Sequence, residues 1–327
     1  MAILVTGGAG YVGSHTARAL SDRGEDVVVL DNMEFGHRAA VLDATLVEGD
    51  VGDQALVRHV VKEHQIDGVI HFAAYKAPGE SMRDPGRYFA NNVCATAALL
   101  ETLAELGVDR FVFSSTCAVY GTPSTLPVDE DHPLAPESPY GQSKYMVEQM
   151  LRWYGSQRGL QSVSLRYFNA AGAAFDGSIG EDWSLTINLV PLAIKATLLD
   201  LGPLQVFGSD YPTPDGTPVR DYVHVVDLAD AHVRALDYLA GGGPSTILNL
   251  GTGTGSTVLQ VVNELERVSG RTVPKTIVGR RPGDPVAIWA DNRRASDVLG
   301  WHPKYGLQEI LATAWRWHST HLDGYQA

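Results

Sequence analysis

Short apolar runs and amphipathic stretches alternate along the first half of the chain. The runs at residues 3–5 and 27–30 are continuously apolar, which is typical of strands buried on both faces of a parallel sheet. The stretch 14–22 between them has the apolar spacing of a helix. The pattern continues with predicted strands at residues 45–48, 68–72, 110–115 and 162–167 and predicted helices at residues 54–64, 85–106 and 140–155. This alternation predicts a doubly wound parallel α/β sheet of the Rossmann type, which binds ligands at the carboxyl ends of its strands.

The pattern changes beyond residue 168. Residues 170–183 and 202–220 are rich in Gly, Pro and Asp, so we expect loops there. A helix predicted at residues 227–239 and a strand predicted at residues 246–250 return to the earlier pattern. We therefore expect two interleaved regions, which are a Rossmann domain of residues 1–168 plus about 222–250 and a smaller α/β substrate domain of residues 169–221 and 251–327.

Composition and charge narrow the functional classes. The chain has 327 residues, 44% hydrophobic and 19% charged, as in an ordinary soluble enzyme. Its formal net charge of −13 argues against a nucleic acid or an anionic membrane as partner, because both need a basic surface. No apolar run is long enough to span a bilayer, and the first strand leaves no room for a cleavable signal, so we expect a cytoplasmic protein. Cys94, Cys117 and the spacing of the histidines fit no metal or disulfide motif, so we expect no metal.

A glycine-rich turn follows the first predicted strand. Gly8, Gly10 and Gly13 fit the G-x-G-x-x-G pattern, and Gly7 with the last two fits a G-x-x-G-x-x-G variant. Between a strand and a helix, such a turn places backbone N–H groups where a pyrophosphate binds. Asp31 ends the second apolar run, 18 residues beyond Gly13, where an acidic side chain binds the ribose hydroxyls of a dinucleotide. A carboxylate repels a 2′-phosphate, so the pattern favours NAD over NADP.

Tyr140 and Lys144 are four residues apart in a predicted helix, so they share one of its faces. The helix follows the fifth predicted strand, whose end carries Thr116, and a parallel sheet would bring Thr116 and Tyr140 together. To act as a base near neutral pH, a tyrosine of ordinary pKa about 10 needs roughly 4 kcal/mol of preference for the phenolate. One cation at about 5 Å supplies about 3 kcal/mol. Lys144 and a positively charged nicotinamide would therefore suffice together, with Thr116 relaying the proton.

Taken together, these residues resemble the extended short-chain dehydrogenase/reductase family. The resemblance rests on the glycine-rich turn, Asp31, the strand end 114–116 and the Tyr140–Lys144 pair, with support from segments 71–81, 165–169, 210–213, 215–217, 219–222 and 280–284. It covers essentially the whole chain. Within the family, the match is closest to enzymes that invert C4 of UDP-galactose and UDP-glucose with NAD as cofactor.

The resemblance implies a mechanism through a transient 4-keto sugar. Tyr140 would remove the proton of the 4′-hydroxyl while C4 gives hydride to NAD. The keto sugar would then turn about its bond to the pyrophosphate and take the hydride back on its opposite face, held meanwhile by binding energy at the UDP end. The family also implies a homodimer, formed through the helices predicted at residues 85–106 and 140–155.

The resemblance assigns site residues position by position. The implied catalytic residues are Thr116, Tyr140 and Lys144. The implied NAD contacts are Gly7, Gly10, Tyr11, Val12, Gly13, Asp31, Asn32, Asp50, Val51, Phe72, Ala73, Ala74, Lys76, Asn91, Ser114, Tyr140, Lys144 and Tyr167. The implied UDP-hexose contacts are Lys76, Thr116, Tyr140, Phe168, Asn169, Asn188, Leu189, Gln205, Phe207, Arg220, Arg281, Asp284 and Ile288. The two arginines would neutralise the phosphates and Asp284 would bind the uridine ribose.

Two nearby acidic residues and two departures from the family pattern complete the comparison. Asp221 and Asp227 are expected to be structural, as a loop bond and a helix cap. Thr116 stands where many members have Ser, so the hydroxyl is kept. Ile288 stands where some members restricted to unacetylated sugars have Tyr. The smaller side chain leads us to expect activity also on UDP-GalNAc and UDP-GlcNAc.

Three other readings compete with this interpretation. A nucleotide-sugar 4,6-dehydratase would usually carry Asp-Glu directly after the strand-end Thr, where this chain has Cys117 and Ala118. An epimerase or decarboxylase of UDP-glucuronate would need a cation facing the sugar carboxylate, which the sequence leaves open. A catalytically silent NAD-binding regulator is disfavoured by the intact Thr116, Tyr140 and Lys144.

Overall fold

The structure, a computed structural model, describes residues 1–183, 186–199, 201–281 and 283–325. Its strands are β1 (Ala2–Thr6), β2 (Asp26–Asp31), β3 (Thr45–Glu48), β4 (Gly68–His71), β5 (Arg110–Thr116), β6 (Gln161–Tyr167), β7 (Asn169–Ala171), β8 (Leu204–Phe207), β9 (Val219–Arg220), β10 (Tyr222–His224), β11 (Thr246–Leu250), β12 (Ser256–Thr257), β13 (Lys275–Val278) and β14 (Ala287–Ile288). Its helices are α1 (Tyr11–Ser21), α2 (Gln54–His64), α3 (Pro78–Ser81), α4 (Pro85–Phe89), α5 (Thr96–Leu106), α6 (Pro139–Arg158), α7 (Leu189–Leu198), α8 (Val225–Ala240), α9 (Val258–Ser269), α10 (Arg293–Leu299) and α11 (Leu307–Thr320).

Seven parallel strands form the central sheet, in the order β11-β6-β5-β4-β1-β2-β3. Side chains of β1 alternate between its two faces. Ile3 and Val5 enter an apolar layer shared with α1 and α8, whereas Leu4 enters a layer shared with α2, α5 and α6. Because both faces are covered by helices, the strands need continuous apolar runs. The doubly wound parallel α/β sheet predicted from the sequence is confirmed.

The strand order reverses at β1, which lies between β2 and β4. From β1 the chain builds β2 and β3 on one side and then returns to build β4, β5 and β6 on the other. A crevice therefore opens at the carboxyl ends of β1 and β4, where folds of this kind bind their ligands. The glycine turn follows β1 directly and Phe72 follows β4, so both lie at this crevice.

The helix predicted at residues 85–106 is interrupted by a π-helical turn at Ala90–Ala95, between α4 and α5. The turn buries Asn92, whose side chain accepts the N–H of Tyr75 at 2.9 Å and donates to the carbonyl of Tyr75 and to Ser143 Oγ, both at 3.0 Å. Three separate chain segments are thus joined by one amide. The apolar spacing of residues 85–106 does not predict this turn.

A second apolar cluster lies outside the central sheet. It joins α7, α9 and α11 to the short parallel pairs β8–β13 and β7–β10. The expectation of a loop over residues 202–220 is wrong in part, because β8 and β9 lie within it. Leu204 and Val206 are the buried positions of β8, too few to give a recognisable pattern, and the strand is completed by pairing with β13 much later in the chain.

Residues beyond 221 contribute to both regions. Strand β11 pairs with β6 as the outermost strand of the central sheet, and α8 packs against α1. Strand β10 pairs instead with β7, outside that sheet. Within the part of the chain that the structure describes, no helix is long and apolar enough to cross a membrane. Nor are three or more His, Cys, Asp or Glu side chains grouped there to hold a metal ion.

Candidate active site

The glycine turn between β1 and α1 has no space for side chains at two positions. Gly7 has a φ of 70°, and a Cβ there would lie 2.5 Å from the backbone nitrogen of Ala73. A Cβ on Gly13 would lie 2.3 Å from the carbonyl oxygen of Gly7. Helix α1 begins after Gly10 with no side-chain cap, so its first N–H groups are free to bind an anion.

Asp31 lies buried at the end of β2. Its carboxylate accepts the N–H groups of Ala9 at 3.0 Å and Met33 at 2.9 Å. Burial raises the pKa of this carboxyl, and the two N–H bonds oppose the rise. Each oxygen keeps a further lone pair for a ribose hydroxyl. Asn32 beside it is exposed and accepts the N–H of Glu34 at 3.1 Å.

The end of β4 lies against the glycine turn. Phe72 and Ala73 donate their N–H groups to the carbonyl of Thr6 at 2.8 and 3.1 Å. Among the other residues expected near the cofactor, Val51 is buried, Ala74 is half-buried and Val12 packs on the α1 layer. Tyr11 donates to the carbonyl of Gly172 at 2.6 Å, and Asn91 donates to Asn92 Oδ1 at 3.0 Å. Asp50 is exposed and accepts the N–H of Gly52 at 2.7 Å. The crevice thus gathers backbone from β1, β2 and β4.

Thr116 ends β5, and Tyr140 lies in the first turn of α6. Ser138 caps this helix by accepting the N–H of Gly141 at 3.1 Å, and Pro139 starts it with a fixed φ. The Thr116 side chain accepts the N–H of Ala118 at 3.1 Å and lies close enough to the Tyr140 phenol to lower its pKa. Lys144, one turn later, is buried and donates from Nζ to the carbonyl of Ser114 at 2.9 Å. The structure therefore brings these three candidate catalytic residues together.

Burial dominates the electrostatics of this cluster. It lowers the pKa of Lys144 to about 7, opposed by Glu148 one turn further along α6. It raises the pKa of Tyr140 well above the ordinary value, and Tyr167 adds to the rise while the nearby Thr116 side chain opposes it. At pH 7 Tyr140 keeps its proton, and the lowered pKa of Lys144 weakens the hold of the amine on its own proton. The protein's own groups therefore leave Tyr140 short of the positive charge it needs to act as a base.

Tyr167 and Ser114 form the wall beside the catalytic cluster. Their hydroxyls are hydrogen bonded at 2.7 Å, across the parallel pairing of β5 and β6. Burial raises the pKa of Tyr167, so the phenol is neutral and can serve only as a hydrogen-bonding group. In the pairing register Thr116 stands opposite Tyr167, so both side chains lie on the same face of the sheet.

Most of the further residues expected to bind a UDP-hexose come from the second region, whereas Lys76 and Phe168 come from the first. Asn169 Nδ2 donates to the carbonyl of Asp221 at 2.8 Å, and Asn188, which precedes Leu189 at the start of α7, donates to Glu181 Oε1 at 2.9 Å. Lys76 reaches the same carboxylate, with its Nζ 3.6 Å from Glu181 Oε1. Phe168 and Ile288 pack in one buried cluster with Val119 and Tyr120.

Arg220 and Asp284 form an ion pair with each other in this structure. Arg281 stacks its guanidinium 4.2 Å from the ring centroid of Phe207, and Gln205 is exposed on the same strand. Pro282, within the 280–284 segment singled out from the sequence, lies outside the described residues. The two arginines and the carboxylate expected at the nucleotide thus share one corner of the second region.

The two acidic residues expected to be structural hold loops. Asp221 accepts the N–H groups of Thr252 at 2.9 Å and Ala290 at 3.1 Å. The expectation of a helix cap at Asp227 is wrong, because His224 caps α8 and Asp227 lies buried in its first turn. The Asp227 carboxylate accepts the backbone N–H groups of residues 304 and 305 at 3.0 and 3.1 Å.

Sequence reasoning missed several polar residues beside the site. Glu148 lies one helical turn beyond Lys144, a spacing that could have drawn attention to it. Its partner Arg166 stands in an apolar strand directly before Tyr167, where a charge needs a buried counterion. Glu181 has no such signal, because its partners Lys76 and Asn188 meet it only in the folded chain.

Comparison with known proteins places this geometry among enzymes of nucleotide-sugar chemistry. The family model described as NAD dependent epimerase/dehydratase family matches residues 3–251. The chain is 50% identical over 317 residues to a UDP-glucose 4-epimerase of Rhizobium leguminosarum bv. trifolii, and the alignment covers 97% of each of the two chains.

Two solved structures extend the similarity to the fold. The UDP-glucose 4-epimerase of Brucella ovis, in complex with NAD, is 44% identical with a TM-score of 0.95, covering 96% of this chain and 97% of that one. The enzyme of Bifidobacterium longum, in complex with NAD+ and UDP, is 39% identical with a TM-score of 0.93, covering 99% of this chain and 100% of that one.

Proposed function

Because the chain belongs to the NAD dependent epimerase/dehydratase family, we propose that Thr116, Tyr140 and Lys144 perform its chemistry at C4 of a UDP-hexose. The protein catalyses the reversible C4 epimerisation of UDP-galactose and UDP-glucose, with NAD as its cofactor. The observation that carries the assignment of the catalytic residues is the position of Thr116 beside the Tyr140 phenol, one helical turn from the buried Lys144 that bonds to the carbonyl of Ser114. The fold, cofactor and reaction predicted from the sequence are confirmed.

The residues of the crevice fit a dinucleotide. Gly7 and Gly13 leave the space that a pyrophosphate needs beside α1, and Asp31 keeps lone pairs for ribose hydroxyls. When bound, NAD supplies a hydride acceptor and its nicotinamide adds a positive charge. We assign the lining of its site to Tyr11, Val12, Asn32, Asp50, Val51, Phe72, Ala73, Ala74, Lys76, Asn91, Ser114 and Tyr167, with Gly10 at the helix start.

The catalytic residues hold and move one proton. Tyr140 accepts the proton of the sugar 4′-hydroxyl through its phenolic oxygen, and Thr116, whose side chain lies beside that phenol, orients the hydroxyl. Lys144 stabilises the phenolate by its charge and is held in place by the carbonyl of Ser114. A cation at about 5 Å contributes about 3 kcal/mol, so Lys144 acts only while it keeps its own proton. The same groups return the proton when the sugar is reduced on the opposite face.

The second region binds the nucleotide end of the substrate. A diphosphate competes with Asp284 for Arg220 and draws Arg281 from the Phe207 ring, because bidentate guanidinium–phosphate bonds are strong. The released Asp284 then accepts the uridine ribose hydroxyls. The remaining contacts that we assign to the substrate are Lys76, Phe168, Asn169, Asn188, Leu189, Gln205 and Phe207.

The pocket wall also sets which hexose fits. Ile288 is buried against Phe168, and an isoleucine there is smaller than the tyrosine found in some relatives restricted to unacetylated sugars. We propose that the enzyme also interconverts UDP-GalNAc and UDP-GlcNAc. Ile288→Tyr should then reduce kcat/KM for UDP-GalNAc at least tenfold while leaving that for UDP-galactose within about threefold, because only the acetamido group needs this space. Equal losses on both sugars would contradict this.

A dehydratase is the alternative with the most similar chemistry, and the structure disfavours it. That reaction needs an acid and a base acting at C5 and C6 of the sugar. Burial raises the pKa of the Cys117 thiol to about 12, and Ala118 beside it has no ionisable group. The residues after Thr116 are therefore unable to exchange those protons at neutral pH.

The assembly, compartment and domain limits are also proposals. A homodimer formed by α4, α5 and α6 would cover Trp153, which is 69% exposed on α6. Size-exclusion chromatography with light scattering would measure the mass of the assembly.

Cytoplasmic location is supported by the thiols of Cys94 and Cys117, which are both free. The division into residues 1–168 plus about 222–250, and 169–221 plus 251–327, is supported by the separate apolar cluster that α7, α9 and α11 form. Ala295, Leu299 and Trp301 of the last segment pack instead with the cluster of the central sheet.

Turnover of UDP-galactose by the purified protein, without added NAD, tests the function directly. Formation of UDP-glucose is expected, because the epimerisation is redox-neutral and the cofactor is regenerated within each turnover. A parallel reaction with UDP-GalNAc tests the wider specificity. No product even after addition of NAD would overturn the assignment of the substrate.

A further inference from the structure

A buried ion pair lies directly behind the catalytic cluster. Glu148 and Arg166 are each 2% exposed and make a bidentate contact, with Nε to Oε1 at 2.9 Å and Nη2 to Oε2 at 2.6 Å. Ser115 Oγ also donates to Glu148 Oε1, at 2.6 Å. Arg166 Nη1 donates to the hydroxyl of Tyr120 at 3.0 Å. Apolar side chains of similar volume often stabilise a protein at least as well as a buried ion pair. Stability alone therefore does not explain why this pair is present.

The pair joins the three elements that carry the catalytic residues. Tyr140, Lys144 and Glu148 follow one another at intervals of four residues, so they share one face of α6. Lys144 bonds to Ser114 and Glu148 bonds to Ser115, two consecutive residues at the end of β5. These two contacts fix the height of α6 along the strand and therefore the position of the Tyr140 phenol.

The third element is β6. Its Arg166 stands directly opposite Ser115 in the parallel register, and the next residue along, Tyr167, stands opposite Thr116. The two pairs point to opposite faces of the sheet. Arg166 therefore contacts Glu148 on the α6 face, while Tyr167 bonds to Ser114 Oγ on the other.

The charges around Lys144 show what the pair does electrostatically. From its own helix, Glu148 favours the protonated amine and Tyr140 is neutral. From β4, His71 is buried and has a pKa lowered to about 3, so it brings no charge at neutral pH. From β5 comes the carbonyl of Ser114, and from β6 comes Arg166 behind Glu148. Glu148 is thus the anion that favours a charged Lys144, and Arg166 moderates it.

We propose that Glu148, held by Arg166 and Ser115, is a positioning residue that aligns Lys144 and Tyr140 with the end of β5 and keeps Lys144 protonated during turnover. The proposal rests on the catalytic roles assigned above. Because Lys144 must be charged to stabilise the phenolate, its loss of a proton sets the alkaline limb of the pH–rate profile. The two partners of the pair then act on that limb in opposite directions.

The test is the pH profile of kcat for UDP-galactose in the holoenzyme. Glu148→Gln leaves the Arg166 charge unopposed and should move the alkaline limb to lower pH by half a pH unit or more, which reduces kcat on that limb, at pH 8, by about threefold or more. Arg166→Gln leaves the Glu148 charge unopposed and should move the limb to higher pH. The double variant should return the limb near its wild-type position. Limbs that stay fixed, or that move in the same direction, would overturn the proposal, since a purely structural role predicts no opposed shifts.

Control variants separate position from charge. Glu264→Gln makes the same charge change in the surface pair with Arg267 on α9 and should leave the profile unchanged. Ser115→Ala keeps both charges and removes one contact, so kcat should fall several-fold while the limb stays in place. An unchanged kcat in that variant would contradict the positioning role.

Two further variants cover the case in which a broken pair prevents folding. Glu148→Asp and Arg166→Lys keep their charges but lose the bidentate geometry, so a lower kcat with an unmoved limb is expected in both. A kcat equal to that of the wild type in both would overturn the proposal. Absence of turnover in the wild type itself would instead contradict the proposed function, which separates the two failures.

Discussion

At the scale of single residues, burial shifts the pKa values of two groups of the site in opposite directions. Burial lowers the pKa of Lys144 to about 7 and raises that of Tyr140 well above the ordinary value. Neither shift favours catalysis by itself, because a higher pKa of Tyr140 disfavours the phenolate and a lower pKa of Lys144 disfavours its positive charge. A positive charge at the nicotinamide position, together with a protonated Lys144, is what makes the Tyr140 phenolate accessible.

Tyr140→Phe should keep the fold and the bound NAD while losing most of the turnover. The phenyl ring fills the same space, but no oxygen remains to accept the proton, and removal of a general base costs about a hundredfold to ten-thousandfold in rate. The measurement is kcat for UDP-galactose together with the NAD content of the purified protein. Tyr145→Phe on the same helix is the matched control and should stay within about twofold. A Tyr140→Phe enzyme within tenfold of the wild type would exclude Tyr140 as the base.

At the scale of elements, the β1–α1 turn is fixed by close backbone contacts. A Cβ at Gly13 would meet the carbonyl oxygen of Gly7 at 2.3 Å, so alanine there must push α1 away from the turn. Displacement of α1 moves the N–H groups that bind a pyrophosphate. Loss of stability and loss of cofactor are therefore coupled at this position.

Gly13→Ala should lower the free energy of unfolding by about 1–3 kcal/mol through overpacking. It should also yield protein with less bound NAD after gel filtration, as measured by absorbance at 260 nm. Gly86→Ala, where a Cβ would meet nothing closer than 3.9 Å, is the control. If Gly13→Ala retained NAD at the wild-type level, the turn would not be the pyrophosphate site.

The junction between α8 and the segment before α11 depends on the buried Asp227. Burial raises the pKa of this carboxyl to about 6, although it accepts the N–H groups of residues 304 and 305. Between the unfolded pKa of about 4 and the folded value, the native state binds more protons than the unfolded state. The contribution of Asp227 to stability therefore falls as pH rises through this window and stays low above it.

Asp227→Asn should gain stability relative to the wild type as pH rises. The amide oxygen can accept the same N–H groups without a buried charge. A folded pKa near 6 predicts that the difference in unfolding free energy moves in favour of the variant by about 1.4 kcal/mol between pH 5 and 7.5. Urea unfolding at several pH values measures it, with Asp237→Asn on the exposed side of α8 as control. A difference that does not change with pH would show that Asp227 is not protonated in this range.

At the scale of the whole molecule, the C-terminal tail connects the two regions at the cofactor side. Tyr325 Oη donates to the carbonyl of Gly180 at 2.9 Å and accepts its N–H at 3.0 Å. The Tyr325 ring stacks on His37, with centroids 4.6 Å apart. His37 in turn pairs with Asp182 and donates its backbone N–H to the carbonyl of Ala9, and the N–H of Ala9 donates to Asp31. A residue near the end of the chain thus supports the loop beside the ribose site.

Tyr325→Phe should release NAD several-fold faster while leaving the chemical step intact. The variant loses both hydrogen bonds to Gly180 but keeps the ring on His37, so the loop opens more often without losing its packing. The rate of NAD release, followed by trapping the freed cofactor with an auxiliary dehydrogenase, measures this. Tyr305→Phe is the matched control. Equal release rates in the wild type and Tyr325→Phe would show that the tail does not retain the cofactor.

The sequence by itself determined the features that depend on neighbouring residues. Apolar runs and helical spacing predict the strands and helices of the central sheet, and the four-residue interval between Tyr140 and Lys144 puts both on one helix face. The glycine turn and Asp31 are local to β1 and β2, so NAD follows from them. These predictions hold because periodicity and turn chemistry act over a few residues.

Only the tertiary structure decided the contacts between distant segments. It pairs β8 with β13, Arg220 with Asp284, and Glu148 with Arg166, none of which has a spacing signal in the chain. It also decides the pKa of Tyr140 and Lys144, because burial depends on everything packed around them. Long-range pairing and desolvation arise from the whole fold, so no local pattern can contain them.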